Sequence, residues 1–178
     1  MLNVYITDLA AYNSGILSGK WIKLPMDSSD LSKEITAVLH QGEIEVEGYN
    51  HEEWFITDYD WEVIPLFEVG EYEDIFKLNN NLILLEEFDE LQLKAIKFLF
   101  DERTTCDIED AISRSEDIVI YENQTLEDIA YNLIEECYGV DKLPTIISNN
   151  IDYEGIAREL ELSSTYHIVD IDVIEYIS

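Results

Sequence analysis

The sequence predicts an α+β fold, and three observations carry that prediction. Short segments near both ends alternate apolar and polar residues, as half-buried strands do. Between them, apolar residues recur at helical spacing. The 178 residues are 47% hydrophobic, with 24 isoleucines and 11 tyrosines, enough apolar surface to offset the entropy of ordering the chain.

The elements follow in chain order. Residues 2–8 and 20–24 read as strands flanking a loop that carries Gly15 and Gly19. Tyr12, Asn13 and Gly15 read as a turn. Residues 30–40 form a helix whose apolar positions are Leu31, Ile35, Val38 and Leu39. Gly42 and Gly48 punctuate the next stretch, where 43–47 (EIEVE) alternates strictly and reads as a half-buried strand. Residues 53–59 make a further strand. Pro65 and the apolar run 63–69 mark a change of unit near residues 60–66.

From there to about residue 105 the pattern is helical, with Leu85, Phe88, Leu91, Ala95 and Phe98 on one face. Residues 107–114 read as a short helix and 117–121 (DIVIY) as a short strand. Thr125-Leu126-Glu127-Asp128 carries the capping signature of a helix start, and Gly139 suits its end. A further helix covers 151–161, with Asp152 as its cap and Arg158 paired to a neighbouring acid. A single alternating strand is expected over 166–177.

Charge is the dominant feature of the composition. Forty acids face ten Lys plus Arg, for a formal net charge of -30 and a pI of about 4.1. Residues 1–42 carry -1, residues 43–90 carry -15, and residues 91–178 carry -14. The acids are interleaved with apolar residues rather than gathered in a tail, which places them on ordered surfaces. A chain without a cluster of Lys and Arg is no partner for nucleic acid, whose binding proteins release counterions through basic patches. Anionic membranes repel it too, and no apolar run approaches the ~20 residues of a bilayer span. The opening MLNVYITDLAAYNSG lacks a basic n-region and does not read as a signal peptide. Cys106 and Cys137 stand apart without a CxxC, which argues against a disulfide framework or zinc site and for a reducing cytoplasm.

Catalytic patterns stay at background. His40, His51 and His167 are scattered, and His51-Glu52-Glu53 lacks the second histidine of a zincin. Asp58, Asp60 and Glu62 alternate as D-x-D-x-E, but Val63 stands where a calcium loop needs glycine. No P-loop, GxGxxG or GxSxG occurs. The expectation is a non-enzymatic protein with no metal and no cofactor.

The spacing of the acids is more informative. On a strand, Glu43, Glu45 and Glu47 would share one face at intervals of about 6.6–6.8 Å, with Ile44 and Val46 turned to the core. Asp58, Asp60 and Glu62 repeat the pattern, and so do Asp170 and Asp172. On helices, Glu86, Glu87, Asp89 and Glu90, and Glu127, Asp128, Glu135 and Glu136, form outward belts. Glu71, Glu73 and Asp74 add to them. Like charges at helical neighbour positions cost a few tenths of a kcal/mol each. Solubility needs a charge of magnitude only about 2–8, and a halophilic origin sits poorly with so many large apolar residues. The remaining explanation is imitation of a polyanion. Duplex DNA carries one charge per ~1.7 Å, so thirty charges match about 50 Å of duplex and a head-to-head dimer about 100 Å.

Three blocks then point to a family. Val4-Tyr5-Ile6-Thr7-Asp8-Leu9-Ala10-Ala11-Tyr12-Asn13-Ser14-Gly15, followed by Gly19-Lys20-Trp21-Ile22, resembles the opening of the ArdA-type antirestriction proteins. Phe55-Ile56-Thr57-Asp58-Tyr59-Asp60 is similar to their HDYE segment, with Thr57 in place of the usual histidine. Residues 150–160, NIDYEGIAREL, resemble the family's YIDYEAMARDL block. The resemblance implies an elongated chain of three small subdomains: a mixed α/β part (1–61), a helical middle (62–105) and an α+β C-terminal part (106–178) that dimerises. It also implies mimicry of bent B-form DNA that occupies the DNA groove of type I restriction–modification enzymes, in proteins carried by plasmids, transposons and phages.

On that reading the acids named above form a phosphate-like surface, individually expendable and collectively functional. Ile146, Ile147, Val169 and Ile171 offer apolar surface for a homodimer. The competing expectation is an acidic module for another basic DNA-binding client.

Overall fold

A computed structural model describes residues 1–105 and 107–177; Cys106 and Ser178 lie outside the described residues. The chain is an α+β protein with two compact units, Met1–Ile108 and Glu109–Ser178.

The first unit is built on strands β1 (Leu2–Asp8), β2 (Gly19–Leu24) and β3 (Trp54–Trp61), antiparallel in the order β2-β1-β3. Alternation in β1 works as the sequence predicts: Leu2, Val4 and Ile6 are fully buried. Helix α1 (Leu9–Asn13) follows β1 directly and ends in a tight turn in which Gly15 takes φ 82°. Helices α2 (Ser28–Glu45) and α3 (Ile75–Ile83) bring Leu31, Ile35, Val38, Ile75, Leu78 and Leu82 into the same core as Leu2, Val4 and Ile6. Burying each such side chain is worth about 1.5–3 kcal/mol. Asn79 fastens α3 in place although it is fully buried. Its Oδ1 accepts from the Met26 N–H and its Nδ2 donates to the Met26 carbonyl, both at 2.9 Å.

Three expectations are corrected in this unit. Residues 43–45 are not strand: they complete α2, with Gln41 bonded to Glu45 and His40 to Glu43 one turn along. Gly42, read as punctuation, lies inside that helix because Asp8 and His51 press on it. A Cβ there would sit 2.6 Å from the Asp8 carboxylate and 2.9 Å from His51 Nδ1. Ile44 accordingly points to water, and Val46 is only half-buried. The supposed continuous helical face from Leu85 to Phe98 is interrupted. Leu85 and Phe88 lie in a turn, and helix α4 (Glu90–Asp101) starts afresh from a capping box between Asp89 and Gln92. Leu91 falls on the exposed side of α4, while Ala95 and Phe98 are buried.

Helix α5 (Ile108–Ser115) leads into the second unit. There, strands β4 (Ile118–Tyr121), β5 (Tyr166–Val169) and β6 (Asp172–Tyr176) form an antiparallel sheet in the order β4-β6-β5. Helix α6 (Leu126–Tyr138) begins at the Thr125–Asp128 capping box and ends at Gly139, with φ 68°. Two further helices follow, α7 (Thr145–Ser148) and α8 (Tyr153–Leu162). Asp152 caps α8 through the Gly155 N–H at 2.8 Å, and Arg158 pairs with Glu154 at 2.9 Å, both as expected. Leu126, Ile129, Ala157 and Val173 make the core. The single strand expected over 166–177 is a hairpin. Asp170 takes φ 54° in its turn, a left-handed conformation that Asp tolerates better than most residues. Asp170 and Asp172 therefore do not share a strand face.

Candidate functional site

The site is a surface, and the acids that compose it fall into three physical groups.

The first group caps helices. Asp8, Asp27, Asp74, Asp89 and Asp152 each accept backbone N–H groups at a helix start, and Asp128 closes its capping box with Thr125. The Thr125 hydroxyl and N–H hold the Asp128 carboxyl below its usual range. Glu90 and Glu127 sit in first turns, where the helix dipole favours negative charge by about 0.3–1 kcal/mol. Part of the acidity thus stabilises the fold. The repulsion inferred from spacing is offset there by orphan N–H groups that need acceptors.

The second group is neutralised or buried. Asp8 and His51 have almost no exposed side-chain surface and lie 2.8 Å apart (Oδ2 to Nδ1), while His51 Nε2 donates to the Val46 carbonyl at 3.0 Å. Both ring nitrogens lie against oxygen atoms, an arrangement that favours the protonated ring, and the hydrogen bond to Asp8 raises its pKa. Glu175 accepts from the Tyr121 hydroxyl at 2.7 Å and the Tyr166 hydroxyl at 2.9 Å. Burial and that shared carboxylate push Tyr166 up to about 12 and raise Tyr121 as well. Lys23 holds Glu62 at 2.7 Å and keeps its carboxyl below the usual range. Other cations are used in the same local way: Lys20 with Glu34, Lys33 with Asp30, Lys97 with Asp101, and Arg114 with Asp110.

The third group is surplus, made of acids that neither cap a helix nor meet a cation. Glu43, Glu45, Glu47, Asp58, Asp60, Glu62, Glu71, Glu73, Asp74, Glu86, Glu87, Asp89, Glu90, Glu127, Asp128, Glu135, Glu136 and Asp170 are all exposed, but Asp74, Asp89 and Asp128 are caps, Glu62 is paired with Lys23, and Glu135 accepts from the Val140 N–H at 2.6 Å. Asp172 is half-buried and accepts from the Asn123 N–H at 2.9 Å, so it belongs to the hairpin rather than the open surface. Asp60, Glu71, Glu73, Glu86, Glu87 and Glu136 have no cation within ion-pair distance among the described residues. On β3 the alternation places Asp58 and Asp60 on the outer face, while Tyr59 and Trp61 pack on the core; the strand ends at Trp61, so Glu62 lies just beyond it and is held by Lys23. A bulge at Thr57 sets this phase. Asp58 pairs with Tyr5 but Ile56 pairs with Ile6, which leaves Thr57 without an opposite residue.

Sequence reasoning missed the Asp8–His51 pair, whose members are 43 positions apart and leave no periodic trace. It also missed the Asp89–Gln92 capping box, for which the D-x-x-Q spacing was the available signal. Among the described residues no group of His, Cys, Asp or Glu is arranged to hold a metal ion, and no helix is long and apolar enough to cross a membrane.

Fold and surface together define a class: a small acidic α+β protein whose reactive groups are exposed carboxylates on ordered elements. A family model for the ArdA antirestriction proteins matches residues 4–175, nearly the whole chain, and the chain belongs to that family. No curated protein matches it. Membership makes it an antirestriction protein, a class whose counterparts are restriction enzymes.

Proposed function

We propose that this protein mimics the charge of B-form DNA and occupies the DNA-binding groove of a type I restriction–modification enzyme, blocking restriction and, through the same groove, modification. The observation that carries the reading is the surplus of exposed acids without cation partners, on strand β3, around the turns beside α3 and α4, and on α6, in a chain of net charge -30. Such a surface attracts a basic groove at long range and speeds docking. It also competes with DNA for the same counterion-release energy.

On this reading the active species is a cytoplasmic homodimer formed through the C-terminal part. Ile146, Ile168 and Ile171 support that, being 78%, 59% and 70% exposed. Burying these side chains against a second copy would remove apolar surface from water. The test is restriction of unmodified DNA by a purified type I enzyme in the presence of the protein. Inhibition should be complete near one dimer per DNA site without turnover, and full cleavage at that ratio would refute the proposal. Inhibition instead of a different basic client would support the broader reading of an acidic inhibitor.

A further inference from the structure

The outer face of the first sheet carries a feature that charge mimicry does not require. Strand register aligns Trp21, Tyr5 and Asp58 in one row across β2, β1 and β3, with Lys23, Asn3 and Asp60 in the next. Neighbouring strands are about 4.8 Å apart, so the three residues are consecutive along the row, with the Tyr5 ring leaning toward β2 against Trp21 and Gly19. Trp21 is 46% exposed, whereas Trp54 and Trp61 pack against the core.

The aromatic pair is in direct contact. Tyr5 and Trp21 meet edge to face, with ring centroids 5.3 Å apart at 71°. Tyr5 also lies against Gly19, where a Cβ would be 2.6 Å from Tyr5 Cε1. Residue 19 therefore has no side chain, and the ring rests on bare backbone.

The charges of this face are also sorted. Lys23, the lysine of this face, is held by Glu62 at 2.7 Å. Asp60 has no ion-pair partner among the described residues. Asp58 uses one oxygen on the Tyr59 N–H at 2.8 Å, and its other oxygen has no partner among the described residues.

The geometry points to this row as the seat of an arginine side chain from the restriction enzyme, its stem against Trp21 and its guanidinium over Tyr5, with Asp58 as the counter-ion and Asp60 one row away. The inference rests on the proposed function and names the contact that adds specificity to it. A planar guanidinium can stack on an aromatic ring and fork onto a carboxylate at once, which a compact, strongly hydrated ammonium does less well. A second copy of this chain is disfavoured as occupant, because its own carboxylates would meet these. Trp, Tyr and Arg are the residues that dominate interface energetics.

The experiment is equilibrium binding of the full chain to an intact type I restriction–modification enzyme across a salt series. Trp21→Ala should weaken binding about tenfold, as hot-spot truncations do, while leaving the slope of log K against log salt unchanged, since no charge is lost. Trp21→Phe, which keeps a ring, should stay within about threefold of wild type. Asp58→Asn should weaken binding and flatten the slope. It also serves as the deciding variant if Trp21→Ala lowers the thermal midpoint. Wild-type affinity in both Trp21→Ala and Asp58→Asn overturns the inference while the proposed function stands. Loss of self-association in Trp21→Ala overturns it too, by assigning the face to a second copy. Failure of the wild-type chain to bind removes the proposed function, and this contact with it.

Discussion

His51 Nδ1 lies 2.8 Å from the Asp8 carboxylate, and the pair joins the end of β1, the last turns of α2 and the segment leading into β3. Because Nε2 also donates, to the Val46 carbonyl, the bound ring carries a proton that the unfolded chain holds less tightly. Asp8 faces it from the β1–α1 corner, with Glu43 as a further charge on α2. A folded pKa above the unfolded value of about 6.5 stabilises the native state fully below that pH, and the contribution is lost as pH rises through the folded pKa. The stability difference between wild type and His51→Gln, followed by urea denaturation from pH 5.5 to 9, should therefore shrink as pH rises. A difference that grows with pH would mean the ring is neutral in the fold.

Gly42→Ala tests the same corner by packing. Alanine is the better helix former by about 1 kcal/mol, so an open site would gain stability. Here the new methyl meets the Asp8 carboxylate and His51, and overpacking should give a net loss of about 1–3 kcal/mol in chemical denaturation.

Asn79→Leu should also destabilise, by about 1–3 kcal/mol, although it adds apolar volume to a core. It strands the Met26 N–H and carbonyl without partners, and a buried unsatisfied group costs more than one hydrogen bond contributes. Thermal unfolding of the variant checks this directly.

The acids should separate by sign. Glu90→Gln removes a charge from the first turn of α4 and should lower stability by a few tenths of a kcal/mol. Asp60→Asn, on a sheet face without a partner cation, should leave stability unchanged or raise it. In inhibition assays each of these two single changes, both outside the Trp21–Tyr5–Asp58 row, should do little. Neutralising Glu71, Glu73, Glu86 and Glu87 together should weaken inhibition strongly and reduce its salt dependence.

Much of this fold could be read in the sequence where the determinants are local. Leu2, Val4 and Ile6 alternate, Thr125 and Asp128 announce a helix start, and Asp152 caps another, because each signal lies within a few residues of its consequence. What failed depended on distant partners or special backbone. Gly42 looked like a break because the residues that demand a glycine there, Asp8 and His51, are far away in sequence. Residues 166–177 looked like one strand because their alternation runs on through a turn that only the φ of Asp170 reveals. Exposure of the candidate acids other than Asp172 was legible from interleaving with apolar residues. Which of them are capped, paired or surplus was not, since that follows from register and from the bulge at Thr57.

The central claim is most directly tested by competition. A type I restriction–modification enzyme loaded with fluorescent duplex DNA is titrated with the protein at several salt concentrations. Mimicry predicts displacement of the DNA at about one dimer per binding site, with log K falling linearly as log salt rises. A ternary complex that retains its DNA at saturating protein would contradict it.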